Sequence, residues 1–502
     1  MNPVHPPRTV WVLGDQLDAS LGALAAATPA THRVLMVESS AKLATRRFHV
    51  QRAHFVVSAM HHFAGELRAA GWQVDMRRAE SLADGFRAHV AEFAPIEVVA
   101  TEPASIDGAE LLRRLGVALV RTNQFLCHPG EFAEWAQGRR QLRMEDFYRW
   151  QRRRLGVLMD GDEPAGGRWN FDTENREPPP KDGVNHWPEP LRDPLDAIDI
   201  EVLQRVRPHT WGAEPDGTWA TTRDGALKRL HHFVERVLPG FGPHEDAMTT
   251  ASWHVGHSLL AQYLNIGLLR PAEVVAAAEA AHRAGHVPIA SAEGFIRQVI
   301  GWREYVWGLY WLRGADYRSE NRLGAHRPLP PAFTGAAPTR MRCVAHTLQT
   351  LHDHAWVHHI QRLMVLGNLA LLAEVDPWEM TSWMWAGFVD GAEWVMLPNV
   401  IGMALHADGG RMASKPYAAG GAYIDRMSDY CKGCAFDRRK RTGDDACPFT
   451  TLYWDFLARH TDTFGRNPRM VTQVRAAQKL SDLEAVRQQA VVVLGRLDRG
   501  EL

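Results

Sequence analysis

The chain has 502 residues, a formal net charge of −1, 45% hydrophobic residues and 23% charged residues. Such a composition is typical of a globular protein of two or three domains, and it excludes nucleic-acid binding through a uniformly positive surface. No run of about 18 apolar residues occurs, so we expect no membrane-spanning segment. The N-terminal stretch MNPVHPPRTVWVLGDQL lacks the pattern of a signal peptide. We therefore expect a cytoplasmic protein with reduced cysteines.

The first 125 or so residues alternate short apolar runs with amphipathic stretches. TVWVLG, RVLMVE, WQVDM, IEVVAT and VALVRT each predict a buried strand. Strands that alternate with helices predict a parallel sheet covered by helices on both faces, with ligands at the carboxyl ends of the strands. Gly14, Asp15 and Gln16 follow the first strand and Glu38 follows the second, so these residues are candidate ligand contacts. No G-x-G-x-x-G occurs, and the ordinary dinucleotide-binding motif is therefore absent.

The composition changes twice along the chain. After an α/β domain at residues 1–127, residues 128–224 are rich in proline, glycine and charge. We predict that they form a long interdomain linker on the surface, with one helix near 144–155. From 225 to 502 the hydrophobic pattern is helical almost throughout, which predicts an all-α domain.

Four of the five cysteines can form one site. Cys431, Cys434 and Cys447 have the spacing C-x2-C-x12-C and are followed by Pro448, and Cys343 lies 88 positions before the first of them. Four thiolates bind Zn²⁺ or an iron–sulfur cluster, and the Cys-Pro ending favours the cluster. A disulfide would require oxidising surroundings, and inert buried thiols are the remaining alternative.

Two segments of the helical region stand out. Ser258–Leu269, SLLAQYLNIGLL, has the pattern of an amphipathic helix that ends at a glycine. In FIRQVIGWREY, Phe295, Val299 and Trp302 fall at i, i+4 and i+7 and predict a buried helix face. Arg303 beside this face would then need a buried carboxylate partner.

These two segments resemble the flavin-binding core of the photolyase/cryptochrome family. MEDFYR from Met144, GGRWNFDTENR from Gly166, HHIQRLM from His358, KPY from Lys415 and the four cysteines resemble the iron–sulfur bacterial cryptochromes and photolyases, the prokaryotic (6-4) photolyase group. The resemblance covers nearly the whole chain. It implies an N-terminal α/β domain that holds an antenna and an all-α domain that holds FAD.

The resemblance also implies which residues hold each cofactor. A [4Fe–4S] cluster is expected on Cys343, Cys431, Cys434 and Cys447. FAD is expected to touch Ser258, Leu260, Tyr263, Trp302, Arg303, Asn368, Asp390 and Asn399, with Arg303 and Asp390 as an ion pair beneath the flavin. The antenna expected in this group is 6,7-dimethyl-8-ribityllumazine, near Gly14, Asp15, Gln16 and Glu38.

The activity implied by the resemblance is light-driven repair of (6-4) pyrimidine photoproducts in UV-damaged DNA by electron transfer from excited reduced FAD. The lesion must leave the duplex, and splitting it needs a proton donor. His358 and His359 match the histidine pair of the family, and we expect His359 to be the general acid. Tyr417 is expected to line the same pocket, and Trp383 to carry electrons to the flavin. Two helix histidines satisfied by hydrogen bonds are the alternative.

Two positions depart from the pattern of the family. Phe333 occupies the region where some relatives have a tryptophan before the first cluster cysteine, which leaves the outer electron route open. Met396 stands where some relatives have a carboxylate, which leaves the tuning of the flavin open.

Basic residues that could contact DNA occur in two runs, residues 139–154 and the stretch Arg438, Arg439, Lys440 and Arg441. The second run is the better candidate because the cluster would hold its loop, although a solvated charged face is the alternative. We expect a monomer that acts on UV-damaged DNA. A blue-light cryptochrome photoreceptor that signals to a protein partner is the alternative function, and a zinc-stabilised structural protein is a third.

Overall fold

The computed structural model describes residues 7–502. The N-terminal stretch on which the absence of a signal peptide is predicted therefore begins outside the described residues. Five parallel strands form the main sheet, in the order β3-β2-β1-β4-β5. They are β1 (Arg8–Trp11), β2 (His32–Ser39), β3 (Val74–Ala79), β4 (Glu97–Thr101) and β5 (Ala118–Val120). The predicted parallel sheet is confirmed.

Helices cover both faces of this sheet, as predicted. They are α1 (Gly22–Ala25), α2 (Ser40–Ala44), α3 (Val50–Ala69), α4 (Leu82–Phe93) and α5 (Ile106–Arg114). On one face Phe55 and Phe63 of α3 pack against β1 and β2. On the other face Phe86 of α4 and Leu112 of α5 pack around Trp11. Burial of these apolar side chains fixes which side of each helix faces the sheet.

Residues 128–224 contain more regular structure than we predicted. The expected helix, α7 (Met144–Leu155), follows an unpredicted helix α6 (Pro129–Ala136), and α8 (Ala197–Val206) is a further unpredicted helix. Strands β6 (Met159–Asp160) and β7 (Glu163–Pro164) form a small hairpin. The helices α6 and α8 are short, and the side chains of His128 and Asp196 cap their N-termini. The surrounding sequence is rich in turn-forming residues, so the hydrophobic pattern alone did not predict them. The boundaries of the three predicted domains stay predictions.

The segment around α7 also reaches the interior, whereas we expected a surface linker. Phe147 and Tyr148 are fully buried. Phe147 packs against Tyr305 at 5.8 Å between ring centroids. The linker therefore contributes to the core of the helical region.

The remainder is helical, as predicted. Its helices are α9 (Arg223–His232), α10 (Ala261–Ile266), α11 (Pro271–Arg283), α12 (Ile289–Ile296), α13 (Glu304–Arg313), α14 (Pro331–Thr334), α15 (Arg342–His354), α16 (Asn368–Leu372), α17 (Pro377–Gly387), α18 (Glu393–Leu397), α19 (Gly421–Met427), α20 (Pro448–Arg459), α21 (Thr461–Phe464), α22 (Val471–Gln478) and α23 (Leu483–Asp498). None of the helices within residues 7–502 is long and apolar enough to cross a membrane.

Four stretches of this region are π-helical: Phe233–Val237, Arg297–Arg303, Gln361–Gly367 and Pro398–Ala404. Such turns hold one residue more than an α-helical turn and are concentrated at functional sites. The second stretch interrupts the predicted i, i+4, i+7 face. Phe295 and Val299 are buried as expected, but Trp302 is only half-buried.

The tryptophans fill the core of the helical region. Trp307 stacks on Phe125 at 3.8 Å, and Trp394 packs edge-on against both. The two halves of the chain meet closely at α10, where the N–H of Leu17 donates to the carbonyl of Ile266 at 2.8 Å. A Cβ on Gly267 would lie 3.0 Å from the Leu17 nitrogen, so only glycine permits this approach.

Candidate active site and cofactor sites

The four cysteines of the predicted metal site converge on one cavity of about 330 Å³. Cys343 comes from the first turn of α15, Cys431 and Cys434 from the turn after α19, and Cys447 from the residue before α20. All four are free thiols, and Cys127 lies elsewhere in the core. The other lining residues are mostly apolar, among them Met341, Ile424, Phe436 and Phe449.

Local backbone structure brings these thiols together. The N–H of Cys434 donates to the Cys431 carbonyl at 3.2 Å, which closes the turn through Gly433 at φ 76°. Cys447 caps α20, and the backbone N–H groups at the start of that helix face its thiol. A Cβ on Gly421 would lie 3.0 Å from the Cys447 sulfur, so this glycine leaves space beside the site.

The electrostatics of the cavity favour a bound cationic group. Burial, and then the charges of the other three cysteines, raise the pKa of Cys343 well above its usual value. Burial and the neighbouring cysteines raise the pKa of Cys431 to about 12. The raised pKa values keep these thiols protonated at neutral pH, and a metal bound here would displace the protons. The donor set therefore fits a four-cysteine metal centre, and it suits Zn²⁺ and [4Fe–4S] equally.

Only the second half of the predicted flavin-binding helix is helical. Helix α10 ends at Gly267, whose φ of 88° makes it the expected glycine cap. Ser258, Leu259 and Leu260 precede it in an irregular segment in which Leu259 has a φ of 53°. A non-glycine residue in this left-handed conformation stores strain, which is common at ligand sites.

Ser258 and Tyr263 line a narrow cleft together with His254. Several buried polar atoms on these segments have no partner among residues 7–502, including His254 Nε2, Gln262 Oε1 and Arg303 Nε. Buried polar groups are normally hydrogen-bonded, so the unpaired atoms fit a polar ligand held against α10. A dinucleotide has the required donors, acceptors and negative charge.

The structure contradicts the predicted ion pair between Arg303 and Asp390. Asp390 instead makes a bidentate pair with Arg362, at 3.0 Å for both contacts. Arg303 donates to the side chain of Asn265 and to the carbonyl of Leu264. Asn265 in turn donates to the backbone carbonyl of Asp390 at 2.8 Å, so an amide lies between the two predicted partners. Burial lowers the pKa of Arg303 to about 10.

The other predicted FAD contacts are dispersed. Leu260 is fully buried and Trp302 half-buried. Asn368 uses both ends of its amide on the backbone of Ala419, at 2.8 and 3.1 Å. Asn399, in the π-helical stretch Pro398–Ala404, donates to the Val395 carbonyl of α18 at 2.9 Å. Of these four residues, none lines the cleft beside Tyr263.

Trp383 lies beside the position at which we noted a departure from the family. Its ring packs edge-on against Phe333 at 5.0 Å, and its indole N–H donates to the Phe333 carbonyl at 2.9 Å. On its other side Phe388 lies 6.3 Å away and stacks under Arg362 at 4.0 Å. Met396, the second departure, is buried in the core of the helical region.

The two predicted catalytic histidines occupy different environments. His358 is buried, with 1% of its surface exposed, and neither of its ring nitrogens has a partner among the described residues. The side chain of His359 is 47% exposed and contacts Asp246 at 3.2 Å. A third histidine, which we did not predict, joins them: His257 stacks on His358 at 4.8 Å and lies 3.2 Å from His359 between ring nitrogens.

Acidic residues set the charge of this histidine cluster, which we define as His257, His358 and His359. Burial, and then its histidine neighbours, lower the pKa of His257 to about 3 and that of His358 well below its usual value. Burial also opposes the charged form of His359, but the hydrogen bond and charge of Asp246 outweigh it and raise the pKa. Burial raises the pKa of nearby Glu245 to about 7. His359 is thus the member of the cluster that holds a proton near neutral pH.

Tyr417 lies close to the same acidic group, since Asp246 acts on both Tyr417 and His359. Burial raises the pKa of Tyr417, so its hydroxyl keeps its proton. Charges of both signs act on this tyrosine: Arg469 and Arg176 lower its pKa, whereas Asp172 and Asp246 raise it. The mouth beside the histidine cluster, where Lys415 neighbours Arg469, therefore carries both basic and acidic side chains.

A large cavity of about 2110 Å³, its open mouth included, lies at the carboxyl ends of the strands. Gly14, Asp15 and Glu38 line it, as predicted from the topology of the sheet. Gln16 does not, because its side chain donates to the carbonyls of Thr101 and Glu102.

The chemistry of this cavity suits a flat polar ligand. Glu38 is held by a bidentate contact from Arg205 at 3.0 Å and by His61 at 2.9 Å. Trp385, against which Arg46 stacks at 3.8 Å, lines the opposite wall with Trp394 and Asp390. Aromatic planes with nearby charges bind polar heteroaromatic rings.

Each member of the predicted DNA-binding run has an acidic partner. The pairs are Arg438 with Asp425 at 2.6 Å, Arg439 with Asp437 at 3.0 Å, Lys440 with Asp445 at 2.5 Å and Arg441 with Asp482 at 2.8 Å. Arg439 is 78% exposed and Lys440 51% exposed. Exposed pairs of this kind contribute little, so phosphates could displace the carboxylates.

Comparisons with known proteins agree on one family. A family model described as "Deoxyribodipyrimidine photo-lyase-related protein" matches residues 10–216. A protein named "(6-4) photolyase" from Agrobacterium fabrum is 40% identical, over 97% of this chain and 99% of its own length. An uncharacterized protein of Acanthamoeba polyphaga mimivirus is 29% identical over 121 residues, which cover 24% of this chain and 91% of that protein.

A solved structure shares the fold. The crystal structure of a bacterial class III photolyase from Agrobacterium tumefaciens superimposes with a TM-score of 0.57 and covers 99% of this chain and 100% of that chain. Its sequence identity to this chain is 17%, so the likeness is one of fold.

Proposed function

Because this chain belongs to the (6-4) photolyase group of the photolyase/cryptochrome family, we propose that it repairs (6-4) pyrimidine photoproducts in UV-damaged DNA by a light-driven reaction. That it is a DNA photolyase follows from its family; the lesion and the mechanism are the proposal. The observation that carries it is the position of His359, which is half-exposed and held by Asp246.

We propose that FAD binds against α10. Ser258 would hold it from the irregular segment before α10, Tyr263 from α10 itself and Arg303 from the π-helical stretch Arg297–Arg303. The buried Arg362–Asp390 pair is proposed as a charged partner. When bound and reduced, FAD supplies a light-excited electron to the lesion. The unpaired buried atoms on these segments support this assignment, because a polar ligand would satisfy them.

His359 would serve as the general acid. Its Nε2 faces Asp246 and its Nδ1 faces His257, so it can hold a proton at neutral pH and deliver it toward a flipped-out base. His358 packs behind it, and the protonated Tyr417 would line the same pocket. Trp383 is proposed to carry electrons to the flavin. Phe333 packs against it and is a poor electron carrier.

Two cavities support the proposals for the remaining cofactors. We propose a [4Fe–4S] cluster on Cys343, Cys431, Cys434 and Cys447, supported by their convergence on one apolar cavity. We propose a 6,7-dimethyl-8-ribityllumazine antenna in the large cavity beside Asp15 and Glu38, supported by its aromatic and charged walls. The proposed partner is DNA, contacted by a monomeric cytoplasmic protein through the mouth at Tyr417 and the run 438–441.

Repair of a defined lesion tests the function. Reduced wild-type protein is illuminated with an oligonucleotide that carries one (6-4) photoproduct, and restored thymines are measured by chromatography. We expect the His359→Ala variant to repair roughly 10²- to 10⁴-fold more slowly while photoreduction of its flavin is unchanged. His352→Ala is the matched control, because His352 is another exposed histidine beside an aspartate, Asp353.

Two results would contradict the proposal. Normal repair by His359→Ala would refute the assignment of the acid. No repair by the wild-type protein, with photoreduction intact, would favour the blue-light photoreceptor.

A further inference from the structure

The histidine cluster presents three ring nitrogens to one point. One nitrogen from each of His257, His358 and His359 lies within 4.8 Å of the other two. Two distant segments supply the rings: His257 precedes α10, whereas His358 and His359 are consecutive residues after α15. The site therefore exists only in the folded chain, and no sequence motif predicts it.

Hydrogen bonds fix which nitrogens of two of these rings carry hydrogen. His257 Nδ1 lies 2.8 Å from the carbonyl of His254, which can only accept, so this nitrogen carries the hydrogen. His359 Nε2 lies 3.2 Å from the carboxylate of Asp246, which likewise accepts. The remaining nitrogens, His257 Nε2 and His359 Nδ1, face each other at 3.2 Å. Two lone pairs at this distance require a cation between or beside them, either a proton or a metal ion.

His358 supplies the second, independent observation. It is 1% exposed, and both of its ring nitrogens lack a partner among residues 7–502. Leaving a buried acceptor unpaired costs about 1–3 kcal/mol, so such a group normally has a ligand. Its ring stacks on His257 at 4.8 Å and lies 6.0 Å from the ring of His359, so one of its unused nitrogens lies within 4.8 Å of a nitrogen of each neighbour.

We propose that His257, His358 and His359 form a binding site for a divalent transition metal such as Zn²⁺. Zinc–nitrogen bonds of about 2.0–2.1 Å in a tetrahedral site place two ligand nitrogens about 3.4 Å apart, close to the 3.2 Å seen here. Imidazole ligands select zinc, copper or nickel over magnesium. The half-exposed side of His359 leaves a fourth position for water.

The surroundings of the rings match those of metal-bound histidines. Such rings donate their second N–H to a carboxylate or a backbone carbonyl, which orients the coordinating nitrogen. Asp246 has this relation to His359, and the carbonyl of His254 has it to His257. A metal on His359 Nδ1 excludes the proton, so zinc would inhibit repair; this inhibition rests on the proposed function, whereas the binding does not.

Counting zinc tests the site. Full-length protein with its flavin and iron is equilibrated with zinc chloride and freed of unbound metal by gel filtration, and zinc and iron are counted by mass spectrometry. We expect one zinc per wild-type chain with the iron unchanged, and none in His257→Ala. Asp246→Asn, which removes only the carboxylate behind His359, should bind zinc about 10- to 100-fold more weakly in calorimetry.

His62→Ala is the matched control, since His62 lies in a separate group with Asp196 and Asp199. Retained zinc in this variant supports the proposal. Equal zinc in His257→Ala and wild type, zinc taken up only as iron is lost, or no zinc in the wild type would each overturn it. Inhibition of repair by zinc and its reversal by EDTA are measured separately, so a protein that repairs nothing still yields a decisive zinc count.

Discussion

The cysteine cavity and the histidine cluster occupy the two ends of one helix and differ in almost every physical property. Cys343 opens α15, and His358 and His359 follow soon after its end, about 20 Å along a helix of 13 residues. The cysteines are enclosed by apolar side chains and by backbone. At the other end His359 faces a carboxylate and solvent, with the buried His358 behind it.

This difference separates a structural role from a chemical one. In the cysteine cavity burial and mutual repulsion raise the pKa values of Cys343 and Cys431, so their thiols stay protonated unless a bound metal displaces the protons. In the histidine cluster burial lowers the pKa of two rings, while Asp246 outweighs burial and raises the pKa of the third. The first arrangement resists change, whereas the second is suited to moving a proton.

The largest effect is expected at the structural end. Cys343→Ala should lose its iron and the broad visible absorption of the cluster, and with them flavin and all repair, because metal binding is coupled to folding. Iron content and far-UV circular dichroism measure this. Cys127→Ala, the control at the other buried cysteine, should keep its iron. A Cys343→Ala protein that folds and repairs normally would show that the cysteine cavity has no structural role.

The second effect concerns the charged pair that follows the histidines. Arg362→Ala leaves Asp390 largely buried without its partner, which should cost about 3–5 kcal/mol in the free energy of unfolding. Arg439→Ala removes an exposed pair and should leave the free energy of unfolding nearly unchanged. Urea unfolding followed by circular dichroism measures both values. Similar costs for the two variants would show that the region around the histidines does not depend on its buried charges.

A third, smaller effect concerns pH. Burial and Arg362 lower the pKa of His359, but Asp246 and Glu245 outweigh them and raise it. The acid form exists below the pKa and is lost as pH rises through it. Asp246→Asn lowers the pKa, so its repair should decline at a lower pH than that of the wild type. If the repair profile of Asp246→Asn lies one pH unit below that of the wild type, its rate is about tenfold lower at any pH above both pKa values.

The pH profile is measured with EDTA present, so that bound metal does not contribute. Asp353→Asn is the control, because Asp353 contacts another exposed histidine, His352. If the pH profile of Asp246→Asn coincides with that of the wild type, Asp246 does not control the pKa of the general acid.

The smallest effect is expected on DNA binding. Neutralising Arg439 and Lys440 should flatten the dependence of log affinity on log salt by about 0.9 per lost phosphate contact. Fluorescence anisotropy at several salt concentrations measures the slope. Lys415→Ala with Arg469→Ala tests the mouth beside Tyr417 in the same way. If the salt dependence changes only in the Lys415→Ala, Arg469→Ala variant, the DNA contacts the mouth beside Tyr417 and not the run 438–441.

Sequence predicted the fold and the cysteine cavity well, for physical reasons. Strand and helix periodicity is local, and the spacing of Cys431, Cys434 and Cys447 lies within one turn and one loop. The same locality explains the confirmed placement of Gly14, Asp15 and Glu38 at the carboxyl edge of the sheet.

Pairings between distant segments could not be predicted in the same way. Arg303 and Arg362 both precede Asp390, and only the folded chain shows that Asn265 separates the first from it. His257 and Asp246 were missed because neither belongs to a recognisable motif. The sequence could have pointed to Arg362, because it lies in HHIQRLM shortly after the two histidines.

The four π-helical stretches have a consequence for how this chain can vary. Two of them carry Trp302, Arg303 and Asn399, and a third carries Arg362. Deleting one residue would convert such a stretch to an α-helix and remove the wide turn that holds these side chains. Exchange of one side chain for another leaves that turn in place, whereas loss of a residue abolishes it. In these stretches, geometry thus constrains the number of residues more strictly than their identity.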